Sequence, residues 1–198
     1  MGNTALTRKV EDLSKSPVAT AGHLGLWQIH SGKHKETEEP VSVWTFDKND
    51  FTKKDRNGGP IKDKDLIESI FKIMLKDLQF MKDWQDSAGA LKILEIIEEG
   101  KSALIFITEP IICSLQDNLT VFDSIPGGSA VHRGEFGEHG EISEMEISRG
   151  VCQIVEALDN LHSRKGRVHF NLTPQSIVLS RSGHWKLCGF GFSWGSVT

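Results

Sequence analysis

Acid–base, nucleophilic and metal chemistry each need particular side chains at particular spacings, and this sequence offers few. Its three cysteines, Cys113, Cys152 and Cys188, are isolated, with no Cys-x-x-Cys pair and no histidine at metal-ligand spacing. They read as buried free thiols of a reducing compartment. His162 closes a periodic apolar run and His169 opens a short polar loop, and both read as structural. The carboxylates Glu109 and Asp159 are poorly placed to share a metal. Polar groups concentrate instead in Val168–Phe192, VHFNLTPQSIVLSRSGHWKLCGFGF. That stretch predicts a polar loop, an apolar strand Ile177-Val178-Leu179, a turn at Arg181-Ser182-Gly183, a second strand Trp185–Cys188 and a glycine-rich exit. Within it Asn171, Thr173, Ser176 and Gly189 occupy fixed intervals, Asn171 and Gly189 standing 18 positions apart. An amide, two hydroxyls and a glycine form hydrogen bonds, but none is a base at neutral pH or a strong ligand for a divalent cation.

The frame His-x-x-Leu-x-Pro, hairpin, x-Phe-Gly resembles the catalytic loop and metal-binding segment of eukaryotic protein kinases, H-R-D-L-K-P-E-N and D-F-G. Here it reads His169-Phe170-Asn171-Leu172-Thr173-Pro174-Gln175-Ser176 and Gly189-Phe190-Gly191. The resemblance implies a role for each position. Asn171 stands where an aspartate accepts the proton of the substrate hydroxyl, and Thr173 where a lysine neutralises the transferred phosphoryl group. Ser176 replaces an asparagine that holds magnesium, and Gly189 replaces the aspartate that binds magnesium between the β- and γ-phosphates. Losing one acid–base group costs on the order of a hundred- to ten-thousand-fold in rate. Losing the metal ligands removes most of the remaining charge stabilisation. His169, Leu172, Pro174, Phe190 and Gly191, which are kept, are the residues that hold the loop's shape.

The preceding chain follows the same frame with the same losses. Residues 1–17 read as a loose lead-in. Val18–Ile29 and Val41–Phe46 predict strands joined by a charged turn, Lys33–Glu39. Set against a kinase glycine-rich loop, Ala19, Ala21 and Leu24 fall at the glycine positions, with Gly22 and Gly25 out of step; side chains there hinder approach of backbone N–H groups to phosphates. Val41-Ser42-Val43-Trp44 resembles V-A-I-K with Trp44 for the phosphate-binding lysine. Lys64–Lys82 predicts an amphipathic helix with Ile67, Ile70, Met74, Leu78 and Met81 on one face. Where the lysine's glutamate partner is expected stands Leu75, and Glu68 comes nearly two turns early. Leu91–Ile97 and Ala103–Thr108 predict a hairpin around Glu98–Ser102. Thr108-Glu109-Pro110-Ile111 resembles the hinge between lobes, with Thr108 guarding the pocket and Glu109 and Ile111 as candidate adenine contacts. Leu115–Phe122 suits a short helix. Residues 123–140 hold five glycines without periodicity and read as an insertion. Ser143–Glu146 forms a capping box with Ile142 and Ile147 as a hydrophobic staple. Its helix runs to about Ser163, with Ile147, Val151, Ile154, Leu158 and Leu161 toward the core.

Composition narrows the class. A net charge of −4 over 198 residues and a pI near 6.1 argue against nucleic acid. The lysine group around Lys53, Lys54, Arg56, Lys62 and Lys64 is interrupted by acids and reads as solvated surface. No apolar run approaches the roughly 20 residues of a membrane span. Met1-Gly2-Asn3 invites myristoylation, but Leu6 stands where the pattern needs Ser or Thr, and there is no signal peptide.

Val43–Lys48, the Thr-Glu-Pro hinge, Leu161-His162-Ser163, the His169–Pro174 loop and Gly189–Phe192 together resemble the SCY1-like pseudokinases, in particular the branch linked to clathrin-coated vesicles. The resemblance covers residues 18–192. It implies an α+β, two-lobed kinase-like fold: a complete β-rich small lobe over 18–108, then over 109–198 the hinge and first part of a truncated helical large lobe. It implies a catalytically inactive scaffold with no bound metal and no cofactor, leaving open only a weak adenine-led contact with ATP. The alternatives are a weak nucleotide-binding switch, or a divergent serine/threonine kinase with residual phosphotransfer. Implied partners are the clathrin and adaptor trafficking machinery, at a cytoplasmic site peripheral to Golgi, endosomal or coated-vesicle membranes.

Overall fold

The computed structural model describes residues 4–53, 63–123 and 142–195. The Met1-Gly2-Asn3 start, Lys54, Arg56 and Lys62 of the lysine group, Thr198, and the insertion at 123–140 apart from its first residue lie outside the described residues.

Six strands make one curled antiparallel sheet in the order β1-β3-β4-β6-β5, with β2 paired to β3. They are β1 (Val10–Glu11), β2 (Ala19–Ala21), β3 (Trp27–His34), β4 (Pro40–Asp47), β5 (Ile93–Glu99) and β6 (Ala103–Thr108). The single strand expected over Val18–Ile29 is interrupted. Gly22 has φ +75° and Leu24 φ +53°, so the chain turns between β2 and β3 instead of running extended. β3 continues to His34, which moves the turn to the following residues. Side-chain alternation on β4 is fully used. Val41 and Val43 join Leu6, Val10, Ile105 and Ile107 in a small outer core, while Trp44 and Phe46 face the main one. Leu6 and Val10 belong to α1 (Thr4–Lys9) and β1, so this part of the expected loose lead-in forms a helix and a strand and buries these two side chains.

α2 (Lys64–Asp83) starts at Asp63, whose carboxylate accepts from the N–H groups of Asp65 and Leu66, each at 3.0 Å. It buries Ile67, Phe71, Met74, Leu78 and Met81 against the sheet, together with one charged residue, Asp77. Ile70, expected on this face, is half-buried, and Phe71 takes the deeper place. β7 (Ile111–Ser114), β9 (Ile177–Ser180) and β10 (Trp185–Leu187) form a second antiparallel sheet, ordered β10-β9-β7; β8 (Arg167–Val168) pairs with β11 (Trp194–Gly195). α3 (Leu115–Asp123) follows β7 directly. α4 (Glu144–Lys165) has the anticipated capping box: the Glu146 N–H donates to Ser143 Oγ at 3.2 Å and the Ser143 N–H donates to Glu146 Oε2 at 2.8 Å. The helix ends at Gly166, which has φ +57°.

The buried stripe of α4 is rotated from the expected one. Ile154 and Leu161 are buried, together with Gly150 and Ala157, while Ile147 is 46% and Val151 51% exposed. Trp185 of β10 is the reason. Its ring lies flat against Gly150, where a Cβ would come within 2.2 Å of it, so the helix turns its glycine and alanine face to the hairpin. Ile142 still packs against the core, but Ile147 is too exposed to close a staple. Cys113 and Cys188 are buried as expected and Cys152, on the outer side of α4, is exposed. One apolar core runs unbroken from the sheet through α2 into the β9–β10 hairpin and Phe190. This is an α+β architecture, as the resemblance implies. No helix among the described residues is long and apolar enough to cross a membrane.

Candidate functional site

The loop from His169 to Ser176 lies between β8 and β9 and is held from inside. His169 is 2% exposed. Its Nε2 donates to the Cys188 carbonyl at 3.0 Å, and its Nδ1 accepts from the Asn171 N–H at 3.2 Å. Burial pushes its pKa down to about 4, so the ring is neutral at physiological pH. Phe170, caught between these two bonds, has φ +58°, a strained conformation for a bulky side chain, and is 68% exposed. Thr173 and Ser176 close the loop on each other. The Thr173 N–H donates to Ser176 Oγ at 2.9 Å, whose own hydroxyl donates to the Thr173 carbonyl at 2.8 Å.

Asn171 Nδ2 donates to the Gly189 carbonyl at 3.2 Å. A carboxylate in its place has no proton to give and would set its charge against that carbonyl. Gly189 has φ +80°, and a Cβ there would lie 3.0 Å from Asn171 Nδ2, 3.1 Å from Ser176 Cβ and 3.5 Å from Gly22 Cα. The space that a metal-binding side chain would need is filled by the loop opposite. Among the described residues no group of three or more His, Cys, Asp or Glu side chains is arranged to hold a metal. Asp159 is exposed on α4, and the Glu109 carboxylate accepts from the Lys92 N–H at 2.9 Å and pairs with Lys186 at 3.5 Å.

β2 and the turn after it are bonded directly to the elements across the cleft. The Thr20 N–H donates to Asp117 Oδ2 at 2.8 Å and its hydroxyl to Asp117 Oδ1 at 3.1 Å. The Gly22 N–H donates to the Gln175 carbonyl at 2.7 Å. These are backbone N–H groups of the kind that a phosphate-binding loop leaves free for its ligand. Gly22, out of step with the kinase pattern, is required for another reason: a Cβ there would fall 2.5 Å from Trp27 Cδ1.

Trp44 is fully buried, stacked on Phe106 with ring centroids 5.4 Å apart, and its indole N–H donates to Thr108 Oγ1 at 3.0 Å. The Thr108 hydroxyl in turn donates to the Glu109 carbonyl at 2.8 Å. The Ile111 N–H donates to Ser42 Oγ at 2.9 Å. The two hinge residues expected to meet adenine therefore have internal partners, from Thr108 and from Ser42. Glu68 pairs at the surface with Lys48, 3.1 Å away, and Leu75 is partly buried beside the fully buried Met74.

Four participants escaped sequence reasoning: Ser42, Asp117, Gln175 and Asp77. Gln175 acts through its carbonyl and Asp117 through a contact 97 residues away, so neither leaves a local signal. Two had one. Ser42 is a lone hydroxyl inside the Val41–Trp44 strand, and Asp77 is a lone carboxylate among the apolar positions of α2.

No family model matches the chain. It is 32% identical over 173 residues to protein kinase domain-containing protein ppk32 of Schizosaccharomyces pombe, and 30% identical over 175 residues to SCY1-like protein 2 of Homo sapiens. It is also 29% identical over 199 residues to protein kinase-like protein SCY1 of Saccharomyces cerevisiae. These alignments cover 86%, 88% and 96% of this chain, but 22%, 17% and 23% of the respective relatives. The chain thus spans about a fifth of the length of these relatives.

Proposed function

The chain belongs to the SCY1-like family of protein kinase-like proteins, and we propose that within this family it is a catalytically inactive domain that serves as an interaction scaffold. The observation that carries the reading is the sealed cleft. The hinge N–H of Ile111 is bonded to Ser42, the hinge carbonyl of Glu109 to Thr108, and the Gly22 N–H to Gln175. Opening either N–H group to a nucleotide exchanges one hydrogen bond for another and yields little net free energy. Phosphoryl transfer further needs a base, a cation on the phosphates and metal ligands. Asn171, Trp44, Ser176 and Gly189 supply none of them. No cofactor and no metal are required for the role proposed. Its partners are proteins, and on the strength of the family resemblance we assign them to clathrin and adaptor machinery at Golgi and endosomal membranes.

A thermal-shift titration with ATP, with and without magnesium, tests the central claim. A ligand with a Kd of about 0.5 mM would, at about 5 mM, stabilise the fold by about 1.4 kcal/mol. That corresponds to a rise of about 3–6 °C for a domain of this size. The expected result is no shift under either condition. A magnesium-dependent rise would overturn inactivity, and a magnesium-independent one would replace the scaffold by a nucleotide-responsive switch. Co-sedimentation with purified clathrin coats tests the partner assignment, and failure to co-sediment with coats or adaptors would remove it.

A further inference from the structure

Asp77 lies at the middle of α2, 1% exposed, and among the described residues no cation forms an ion pair with it. Its oxygens are held by donors from two distant parts of the chain. Oδ2 accepts from the indole N–H of Trp27 on β3 at 2.7 Å, and Oδ1 accepts from the Phe190 N–H at 2.7 Å, with the Gly189 N–H contributing. One carboxylate therefore joins the helix, the six-stranded sheet and the Gly-Phe-Gly segment. The segment rides directly on the helix: a Cβ on Gly191 would come within 2.4 Å of Ile73 Cγ2.

The groups that face Asp77 leave its charge uncompensated. Trp27 faces it from β3. The Cys188 thiol, at the exit of β10, is buried and held well above its ordinary pKa by burial and by the Asp77 charge. His169 packs on Phe190 with ring centroids 4.6 Å apart, and its ring is neutral; His23, beside Gly22 in the turn after β2, packs edge-on against Phe192 at 4.6 Å, and burial lowers its pKa. Lys76, the neighbour on α2, is directed away, donating to the Ser193 carbonyl at 2.7 Å and lying over the Trp194 ring. Burial raises the Asp77 pKa from 3.8 to about 6, against the opposing effect of its hydrogen bonds.

An ionised carboxylate only accepts, so it serves both N–H groups at once. A protonated one has lost its charge and one lone pair, so it accepts more weakly from both. Trp27 is fixed by ring contacts with Trp44, Phe46 and Phe106. The Phe190 ring is equally held, by Phe80, Trp84 and His169, but its donor is a backbone amide in a three-residue turn between two glycines, and that amide has more freedom than the ring N–H of Trp27. We propose that Asp77 is a proton-operated latch: ionised, it clamps the Gly-Phe-Gly segment and β3 onto α2, in place of the lysine–glutamate ion pair absent here, and uptake of one solvent proton releases the Phe190 N–H. The segment's seating on the helix is then set by pH, whether or not the domain is catalytic.

The test follows the Asp77 carboxyl carbon by NMR in the unmodified chain between pH 4.5 and 8, together with hydrogen exchange at the Phe190 amide. The expected carboxyl midpoint is near 6. Exchange at Phe190, corrected for its intrinsic pH dependence, should rise about tenfold between pH 7.5 and 5, matching one lost hydrogen bond. Protection at Leu78 in the core of α2 and of the Trp27 indole N–H should stay constant, which separates latch release from general loosening. In Asp77→Asn the Phe190 exchange should lose its pH dependence; if that variant does not fold, the unmodified chain decides alone. A carboxyl midpoint below about 4.5, or a midpoint near 6 with unchanged Phe190 protection, overturns the proposal.

Discussion

Replacing Gly189 by alanine measures how tightly the cleft is sealed, because the chain contains a matched control. Gly189 and Gly183 have nearly the same positive φ, +80° and +78°. Forcing an L-residue into that region costs about 1–2 kcal/mol at either position. The surroundings differ completely. A Cβ at Gly183 meets nothing within 4 Å, whereas at Gly189 it comes within 3.0 Å of Asn171 Nδ2, 3.1 Å of Ser176 Cβ and 3.5 Å of the Gly22 backbone. Those neighbours are themselves held, Asn171 by the Gly189 carbonyl, Ser176 by Thr173 and Gly22 by Gln175. They cannot yield without breaking a bond. Overpacking of this kind costs about 1–3 kcal/mol. Gly189→Ala should therefore exceed Gly183→Ala by about 2 kcal/mol, or by about 4–8 °C in Tm. Urea denaturation followed by tryptophan fluorescence reads both. Equal costs at the two positions would refute the picture of a closed cleft, because they would mean that the space beside Gly189 is free to accept a side chain.

Trp44→Lys, which restores the kinase residue, should destabilise the fold by at least about 3–5 kcal/mol, the usual cost of truncating a buried tryptophan, before the buried charge is counted; a variant as stable as the parent, or one whose Tm rises with ATP, would contradict the structural role given to Trp44. The pH dependence of stability should show two opposing groups. Asp77, raised from 3.8 to about 6, contributes stability below about pH 3.8 that is lost as pH rises through about 6. His169, lowered from 6.5 to about 4, contributes stability above about pH 6.5 that is lost as pH falls through about 4. Each amounts to about 3 kcal/mol, so the unmodified chain should be nearly flat between these limits, Asp77→Asn should weaken on acidification and His169→Gln should strengthen; parallel urea-midpoint profiles for the two variants would refute the assignment.

Side-chain chemistry is a local property, and what depends on it alone could be read from the sequence. Asn171, Thr173, Ser176 and Gly189 lack a base, a cation and strong metal ligands in any fold. The order of loop, hairpin and x-Phe-Gly carried the family resemblance, which implied the α+β class, and short-range rules located the capping box of α4 and most of the apolar face of α2. Tertiary structure decided whether the lost groups left a hole or something in their place. The Asn171 amide reaches a carbonyl 18 positions away, Thr20 an aspartate 97 away and Asp77 an amide 113 away. Each partner is chosen by how the sheet, α2 and the hairpin pack. The same packing set which face α4 buries, since Trp185 needs the flat surface at Gly150 more than Ile147 or Val151 needs cover. A buried polar group must find a partner wherever the fold brings one, and that position is a property of the whole chain rather than of its neighbours in sequence.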